Sequence, residues 1–416
     1  MQASPTHPIN IEWPTVDNSR VPFSVFTDPE LYDLEQKLIF RGPNWCFVAM
    51  ELEIPNSGDY KTTWVGDTPV IVSRDAEGKV HCVVNRCAHR GATLLFDGSG
   101  NVEDFTCVYH NWRYDLAGNL QSVAFQNGVK KVGGMPADFK VCQHNLTKAR
   151  VEVFHGLVFA TFSEETPALA DYLGERMGSH IARIFNRPVK LLGTYSQTLH
   201  SNWKLYMENV KDSYHASLLH TFFSTFKLNR LSMEGGVRVD GDGAHHLSWS
   251  KRGTDSAVGT DYEKKGELRA VMDDFTLADP TLIRSWLEYE DGITHAIQSI
   301  FPTFVLQQIQ NSLAVRVLIP KSVDKSELYW IAFGYADDTP EQFDMRMRQS
   351  NLIGPAGLVS LEDGIVGNFI QRGIRRETDK NAVLEMGGRV VEDQQSRVSE
   401  AAVRGFWQAY RTRMGL

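Results

Sequence analysis

The 416-residue sequence holds no run of about eighteen or more apolar residues, so no segment of it is expected to cross a membrane. The first residues, MQASPTHPINIEWP, have neither a basic stretch nor an apolar core. No secretory signal is expected there, and the compartment this suggests is the cytoplasm. Positive charge is in deficit: 43 Lys and Arg stand against 51 Asp and Glu, for a net charge of −8. A nucleic-acid binder needs a basic stripe, so that class is set aside; an acidic protein suits basic or metal-bearing partners. Cysteine is scarce, limited to Cys46, Cys82, Cys87, Cys107 and Cys142. An odd handful of thiols in a long chain argues against a disulfide scaffold, and Cys closely spaced with His reads as metal binding in a reducing compartment. There is no internal repeat and no low-complexity tract.

What is present is ordinary in bulk: 42% hydrophobic and 23% charged residues, in a chain long enough for two or three domains. Residues 1–20 are polar and read as a surface arm. Residues 30–42 carry Leu31, Leu34, Leu38 and Ile39 at helical spacing. From about 44 to 160, short runs rich in Val, Ile, Thr and aromatics are broken by Gly, Asn and Asp, which predicts a small all-β domain. Residues 168–187, 339–372 and 399–413 read as helices, and 188–210 as a strand and then a helix. Residues 230–262 read as strands with a mobile loop. The runs SIFPTFVLQQIQNSLAVRVLIP and SELYWIAFGYA read as antiparallel strands, with Gln310–Asn311–Ser312 as a turn. The expected fold is α+β. An all-β module (44–162) lies between an N-terminal arm and helix (1–43) and a larger mixed domain with an antiparallel sheet (163–416).

Two constellations carry chemistry. The first is Cys87-Ala-His89, then seventeen residues, then Cys107-Val-Tyr-His110. Two thiolates and two imidazoles suit either one tetrahedral zinc ion or a [2Fe–2S] cluster with Cys on one iron and His on the other. The spacing favours the cluster: each short loop gives one Cys and one His, whereas a zinc site of this kind begins with a Cys pair and ends with a His pair. Imidazole in place of thiolate raises the reduction potential and makes the cluster a competent one-electron donor. Cys46, Cys82 and Cys142 fit neither loop and read as buried free thiols.

The second constellation is Glu208-Asn209-Val-Lys-Asp212-Ser-Tyr214-His215-Ala-Ser-Leu-Leu-His220. Two imidazoles and a carboxylate on one face of an octahedron hold Fe(II) with three positions open. His215 and His220 are five apart, about 140° of rotation on an ideal helix, so a break or wide turn is expected between them. Asp212, three before His215, shares its face on a helix and is placed to hydrogen-bond its outer nitrogen. The third ligand comes from elsewhere. Asp363 is the candidate, with Glu362 as the fallback.

With both motifs intact and in order, C-x-H…C-x₂-H and E-N-x₂-D-x-Y-H-x₄-H, the chain resembles the α subunits of Rieske non-haem iron ring-hydroxylating oxygenases over nearly its whole length. RVPF, NRCAHRGA, GGMP, NWKLYMENVKDSYHASLLH, QQIQNSLAVR, LIGPAG and VRGFW are most similar to the aromatic-carboxylate branch: terephthalate dioxygenase first, then salicylate 5-hydroxylase and anthranilate dioxygenase. The resemblance implies a Rieske domain in a larger helix-grip catalytic domain, as an α₃β₃ or α₃ assembly with a small β subunit. It implies a [2Fe–2S] cluster on Cys87, His89, Cys107 and His110, and one Fe(II) on His215, His220 and Asp363. It further implies that the cluster of one subunit feeds the iron of its neighbour, with Asp212 bridging His110 and His215. Electrons would come from NAD(P)H through a separate reductase or ferredoxin. Glu362-Asp363 departs from the Asp-Asp of several relatives, although the ligand position is kept.

The expected activity is cis-dihydroxylation of a benzene carboxylate with O₂, terephthalate first, and anthranilate or salicylate-type hydroxylation as alternatives. An acid needs a cation. Arg316 sits in the apolar strand LAVRVLI and must have a partner or a water-filled pocket. By resemblance, Arg316 and Arg397 match positions that grip two carboxylates. His245, His246 and Ser248 are further candidates for the cavity wall. Two other classes stay open from the residues alone: a Rieske electron-transfer protein with a structural metal, and a zinc-only module.

Overall fold

A computed structural model describes residues 11–96, 98–226, 228–240, 242–252 and 275–416. The first half of the expected surface arm, and residues 253–262 of the expected mobile loop, lie outside the described residues. The chain divides into two compact units: Phe40–Tyr172, and Met1–Ile39 together with Leu173–Leu416.

The Phe40–Tyr172 unit is built on a seven-stranded sheet. Its order is Cys46–Met50, Leu157–Thr161, Lys148–Phe154, Val80–Val84, Thr68–Arg74, Asp59–Val65 and Ser99–Asn101. Every pairing is antiparallel, and runs such as Val70–Val72 are buried because β-branched side chains fill the pleated interior. Against it lies a small sheet of Phe105–Thr106, Arg113–Tyr114 and Leu120–Ser122. The cluster motif occupies the two loops beside these short strands. Cys46 and Cys82 are buried thiols, as expected. Cys142 is exposed, contrary to expectation, because it lies on the short turn Val141–Gln143 rather than in a strand.

The larger unit carries a second seven-stranded antiparallel sheet. Its order is Val189–Leu199, Lys325–Tyr335, Ser312–Ser322, Phe304–Ile309, His295–Ile300, His245–Ser250 and Gly235–Asp240. Strands Phe304–Ile309 and Ser312–Ser322 meet at a two-residue turn, where Gln310 takes a φ of 54. Helices Trp203–Lys211 and Ala401–Met414 pack on this sheet, and Leu358–Ile374 packs on Trp203–Lys211. The expected helix at 30–42 is present as Pro29–Glu35, continued by a wider turn at Gln36–Phe40. The expected helix at 168–187 runs Leu169–Ile184, broken at Gly174.

A buried polar knot fixes the site-bearing helix. Glu35, fully buried, accepts from Trp203 Nε1 at 2.7 Å and Tyr410 OH at 2.6 Å, and pairs with the equally buried Lys204. All four members are satisfied, which is the condition under which burying an ion pair is tolerable. Of the expected arm, Trp13 packs on Trp407 of the C-terminal helix, 5.6 Å between rings. No described helix is long and apolar enough to cross a membrane.

Candidate functional site

The two Cys-His loops have the same backbone. In each, the N–H of the cysteine donates to the carbonyl five residues on: Cys87 to Ala92 at 2.8 Å and Cys107 to Trp112 at 2.9 Å. In each, the cysteine carbonyl accepts from the residue four on: Gly91 at 3.0 Å and Asn111 at 2.9 Å. Closing such a turn needs a left-handed residue, and Gly91 (φ 78) and Asn111 (φ 52) are the residue types that adopt it at least cost. The pair of loops brings the rings of His89 and His110 to 4.6 Å, and Cys87 and Cys107 of the same loops are buried free thiols. Trp112 stacks on His89 at 4.8 Å, and Tyr114 OH lies 3.3 Å from Cys87 Sγ. Nδ1 of both histidines is buried with no hydrogen-bond partner among the described residues. Two such orphaned nitrogens with two thiols form a donor set that fits a His₂Cys₂ cluster.

In the larger unit, Asn202 caps the helix Trp203–Lys211 by accepting from Lys204 N at 3.0 Å. The helix has ended by Asp212, which is extended (φ −82, ψ 102). Asp212 therefore does not share a helical face with His215, as its spacing suggested. Its Oδ1 accepts from the backbone N–H of Tyr214 (3.1 Å) and His215 (3.3 Å), and so starts the next turn. Its Oδ2 stands 3.7 Å from His215 Nδ1, longer than a hydrogen bond, and that nitrogen is buried without a bonded partner among the described residues. A single helical turn, Ala216–Leu219, separates the two histidines and stops at His220, whose ψ of 77 is not helical.

That break turns His220 toward His215. Nε2 of each lies 3.4 Å from Asp363 Oδ1, and the three ligand atoms fall within 4.8 Å of one another. Three ligands at right angles, each about 2.1 Å from a metal, stand about 3 Å apart, so the trio fits a facial set. Burial alone would lower the His215 pKa, but Asp212 and Asp363 outweigh it and raise it to about 10. The two carboxylates thus favour a cation at this point. Asn209 Nδ2 donates to Asp363 Oδ1 at 3.1 Å. Glu362, the fallback ligand, takes another place: its Oε2 is 2.7 Å from His220 Nδ1. A carboxylate on the outer nitrogen fixes the ring's orientation and leaves Nε2 as the ligand.

Beside the trio lies a cavity bordered by His215, His220 and Asp363. Arg316 and Arg397 both line it. Arg316 is 6% exposed, donates Nη1 to Tyr206 OH at 2.8 Å and lies 4.8 Å over the Trp330 ring. No carboxylate pairs with it among the described residues. Arg397 is held by the side chain of Asn229 and the carbonyl of Arg230. Ser248 lines the cavity as expected, but His245 and His246 do not. His246 faces Ser299, with Nδ1 2.6 Å from its hydroxyl, and His245 Nδ1 accepts from Phe301 N at 3.1 Å.

The sequence reading missed several polar groups of this cavity. Ser250, His295, Gln307 and Trp330 line it, and each holds a buried side-chain N or O atom with no hydrogen-bond partner among the described residues. The only signal available was their position in strands that are buried almost throughout, which does not separate a core histidine from a cavity histidine.

Residues 44–133 match the Rieske [2Fe-2S] domain, and residues 188–416 match the ring hydroxylating alpha subunit (catalytic domain). The chain is 51% identical to the terephthalate 1,2-dioxygenase terminal oxygenase component subunit alpha 2 of Comamonas sp, over 97% of this chain and 98% of that protein. It is 46% identical to the anthranilate 1,2-dioxygenase large subunit of Burkholderia cepacia, over 98% and 96%. It is 38% identical to the salicylate 5-hydroxylase large oxygenase component of Ralstonia sp, over 99% and 98%. The fold is that of naphthalene 1,2-dioxygenase from Rhodococcus sp., with a TM-score of 0.78, 22% identity, and 95% and 94% of the two chains covered.

Proposed function

The chain belongs to the ring-hydroxylating dioxygenase α subunits, and from that premise we propose that it cis-dihydroxylates a benzene carboxylate, terephthalate being the favoured acid. The observation that carries the reading is Arg316, a buried guanidinium beside the three-ligand site whose only hydrogen-bond partner among the described residues is a neutral phenol. A charge in that setting is costly unless an anion joins it. A substrate carboxylate against its free Nε edge supplies that anion in a bidentate pair.

The chain's own residues then divide the work. Arg316, oriented by Tyr206 and Trp330, holds the acid end, while apolar Ile297, Ile309 and Val359 flank the ring and leave it little water. Fixing the ring in this way converts an encounter into a near-attack geometry. Cys87, His89, Cys107 and His110 hold the cluster, and His215, His220 and Asp363 hold the mononuclear iron; when bound, the two supply single electrons and activate O₂. Glu362 keeps His220 in its ligating tautomer, and Asp212 sits behind His215. Asp212 is read as the link through which a neighbouring subunit's cluster is coupled. NAD(P)H acting through a separate reductase or ferredoxin, a small β subunit and a cytoplasmic location complete the proposal.

The test is a panel of benzoate derivatives offered to the holoprotein with a generic reductase, with O₂ uptake and products measured. A cis-diol from terephthalate supports the reading. Anthranilate as the preferred acid would move it to the neighbouring alternative, and O₂ uptake with no acid at all would end it.

A further inference from the structure

The cavity has a second polar end, remote from Arg316, and its residues sit in register. In an antiparallel sheet, directly opposed residues share a face. Arg316 stands in one such row with Trp330, Val305 and Ser299. His295 stands in another with Ser250, Gly235 and Ile309. His295 and Ser299 are four residues apart on one strand, so the rows are separated by about 13 Å at ~3.3 Å per residue. Arg316 and Trp330 of the first row, and His295, Ser250 and Ile309 of the second, line the same cavity.

Arg397 enters at the His295 row. A Cβ at Gly235 would meet its Nε at 3.0 Å and the Trp249 carbonyl at 2.4 Å, so only glycine leaves room for it. Asn229 and the Arg230 carbonyl hold its guanidinium. Next to it, His295 is 5% exposed, and its Nε2 is buried with no hydrogen-bond partner among the described residues. The other ring nitrogen, Nδ1, is 3.1 Å from Thr294 Oγ1. That hydroxyl has one proton and two acceptors in reach: His295 Nδ1, and the Ser250 carbonyl at 3.5 Å. Its oxygen already accepts from Arg252 N at 3.0 Å. The nearer acceptor takes the proton, which makes Nδ1 an acceptor and leaves the hydrogen on Nε2. Burial, with Arg397 and Arg252 adding, holds the imidazole neutral by pushing its pKa down to about 3. The result is a fixed neutral N–H donor beside a guanidinium.

We propose that His295 is a specificity-determining residue that donates Nε2–H to a second carboxylate of the substrate, at the end of the ring opposite the acid held by Arg316. This rests on the benzene-carboxylate reading and sharpens it to a dicarboxylate with its acids at opposite ends of the ring. Thr294 is the positioning residue that sets the tautomer.

Anaerobic calorimetric titrations of the iron-loaded holoprotein with terephthalate and with benzoate test it. His295→Leu is expected to weaken terephthalate about 10- to 100-fold, the value of one charge-assisted hydrogen bond, and to change benzoate less than about threefold. His295→Gln, whose amide nitrogen reaches the same place, is expected to restore most of the terephthalate affinity. Thr294→Val, a change outside the cavity wall, is expected to weaken terephthalate alone, and it keeps the test decisive if His295→Leu does not fold. Equal changes for both acids, or none for either, overturn the role of His295 while leaving the parent reading standing. Failure of the wild-type protein to bind either acid overturns the parent reading and the inference together.

Discussion

Arg316→Leu separates a charge that recognises substrate from a side chain that merely fills space. The guanidinium is buried, held by one phenol and one indole, with no acid partner among the described residues. Removing one partner of a desolvated charge pair costs ~2–5 kcal/mol. At ~1.4 kcal/mol per decade this is a loss of about 30- to 4,000-fold in the Kd of benzoate or terephthalate. Benzamide, which has the same ring and no charge, loses only the smaller hydrogen-bond difference, ~0.5–1.5 kcal/mol. The effect on the fold has the opposite sign. An uncompensated buried cation penalises the folded state, so the leucine variant is expected to keep or raise the thermal midpoint. Calorimetric titration of the three ligands and a melting curve measure both effects. The same loss for benzamide as for the acids would make the role steric, and unchanged acid affinity would remove Arg316 from recognition altogether.

Glu362→Ala takes away the acceptor on His220 Nδ1, so iron affinity is expected to fall about 10- to 100-fold; iron retention under chelator competition measures this, and wild-type retention would leave Glu362 a bystander. Asp212→Ala is expected to keep both the cluster spectrum and the bound iron while coupled turnover is lost, and turnover near wild type would end its proposed link to His215. Glu208 gives a pH prediction. Burial raises its carboxyl to about 8 against the Trp407 hydrogen bond, with Glu400 and Asp212 adding to the rise. Between the ordinary glutamate value of 4.5 and about 8, the folded form therefore binds more protons than the unfolded, and stability falls as pH rises through that window. Glu208→Gln keeps an acceptor for Trp407 and removes the titration, so its melting point should vary less across the window than that of wild type; parallel profiles would contradict the assignment.

The parts of the site that were legible in the sequence are those where chemistry forces residue type and short spacing together. Cys87, His89, Cys107 and His110 are read from two loops because each loop must close within five residues to aim its ligands. The same holds for His215 and His220, where a spacing off the helical period announced a break. Asp363 is a candidate from sequence only by its neighbours, since nothing local marks a ligand more than a hundred residues away. Glu362 shows the limit: adjacent carboxylates are interchangeable in a string, and only the orientation of helix Leu358–Ile374 sends Asp363 to the metal face and Glu362 to His220 Nδ1. Asp212 was assigned the right neighbour by the wrong geometry, because a helix ending is decided by capping competition that spacing does not record. The cavity wall was least legible. His246 and His295 are both buried histidines on one face of the sheet, and only the neighbour each ring meets separates them: the Ser299 hydroxyl for His246, the cavity for His295.

Buried polar atoms left without partners are costly, about 1–3 kcal/mol each, so their placement is evidence about what the protein must bind. The structural knots of this fold leave none among their bonding atoms: Arg346 bonds Asp338, Glu288 and the Asn311 carbonyl, and Glu35 serves three donors. Among the atoms without partners, His89 Nδ1 and His110 Nδ1 sit in the cysteine loops, and Ser250 Oγ, His295 Nε2, Gln307 Nε2, Arg316 Nε and Trp330 Nε1 belong to residues that line one cavity. In their neutral or cationic forms, the last four supply N–H donors, and the only carboxylates that line the cavity among the described residues, Asp212 and Asp363, belong to the metal end. A donor-rich, acceptor-poor wall around an apolar slot fits an aromatic ring bearing anionic oxygen and disfavours an unsubstituted hydrocarbon, which would leave every one of those groups unsatisfied. The same argument forbids a ligand that is merely small. A benzoate paired with Arg316 leaves His295 as it was, whereas a ring acidic at both ends satisfies the two rows at once.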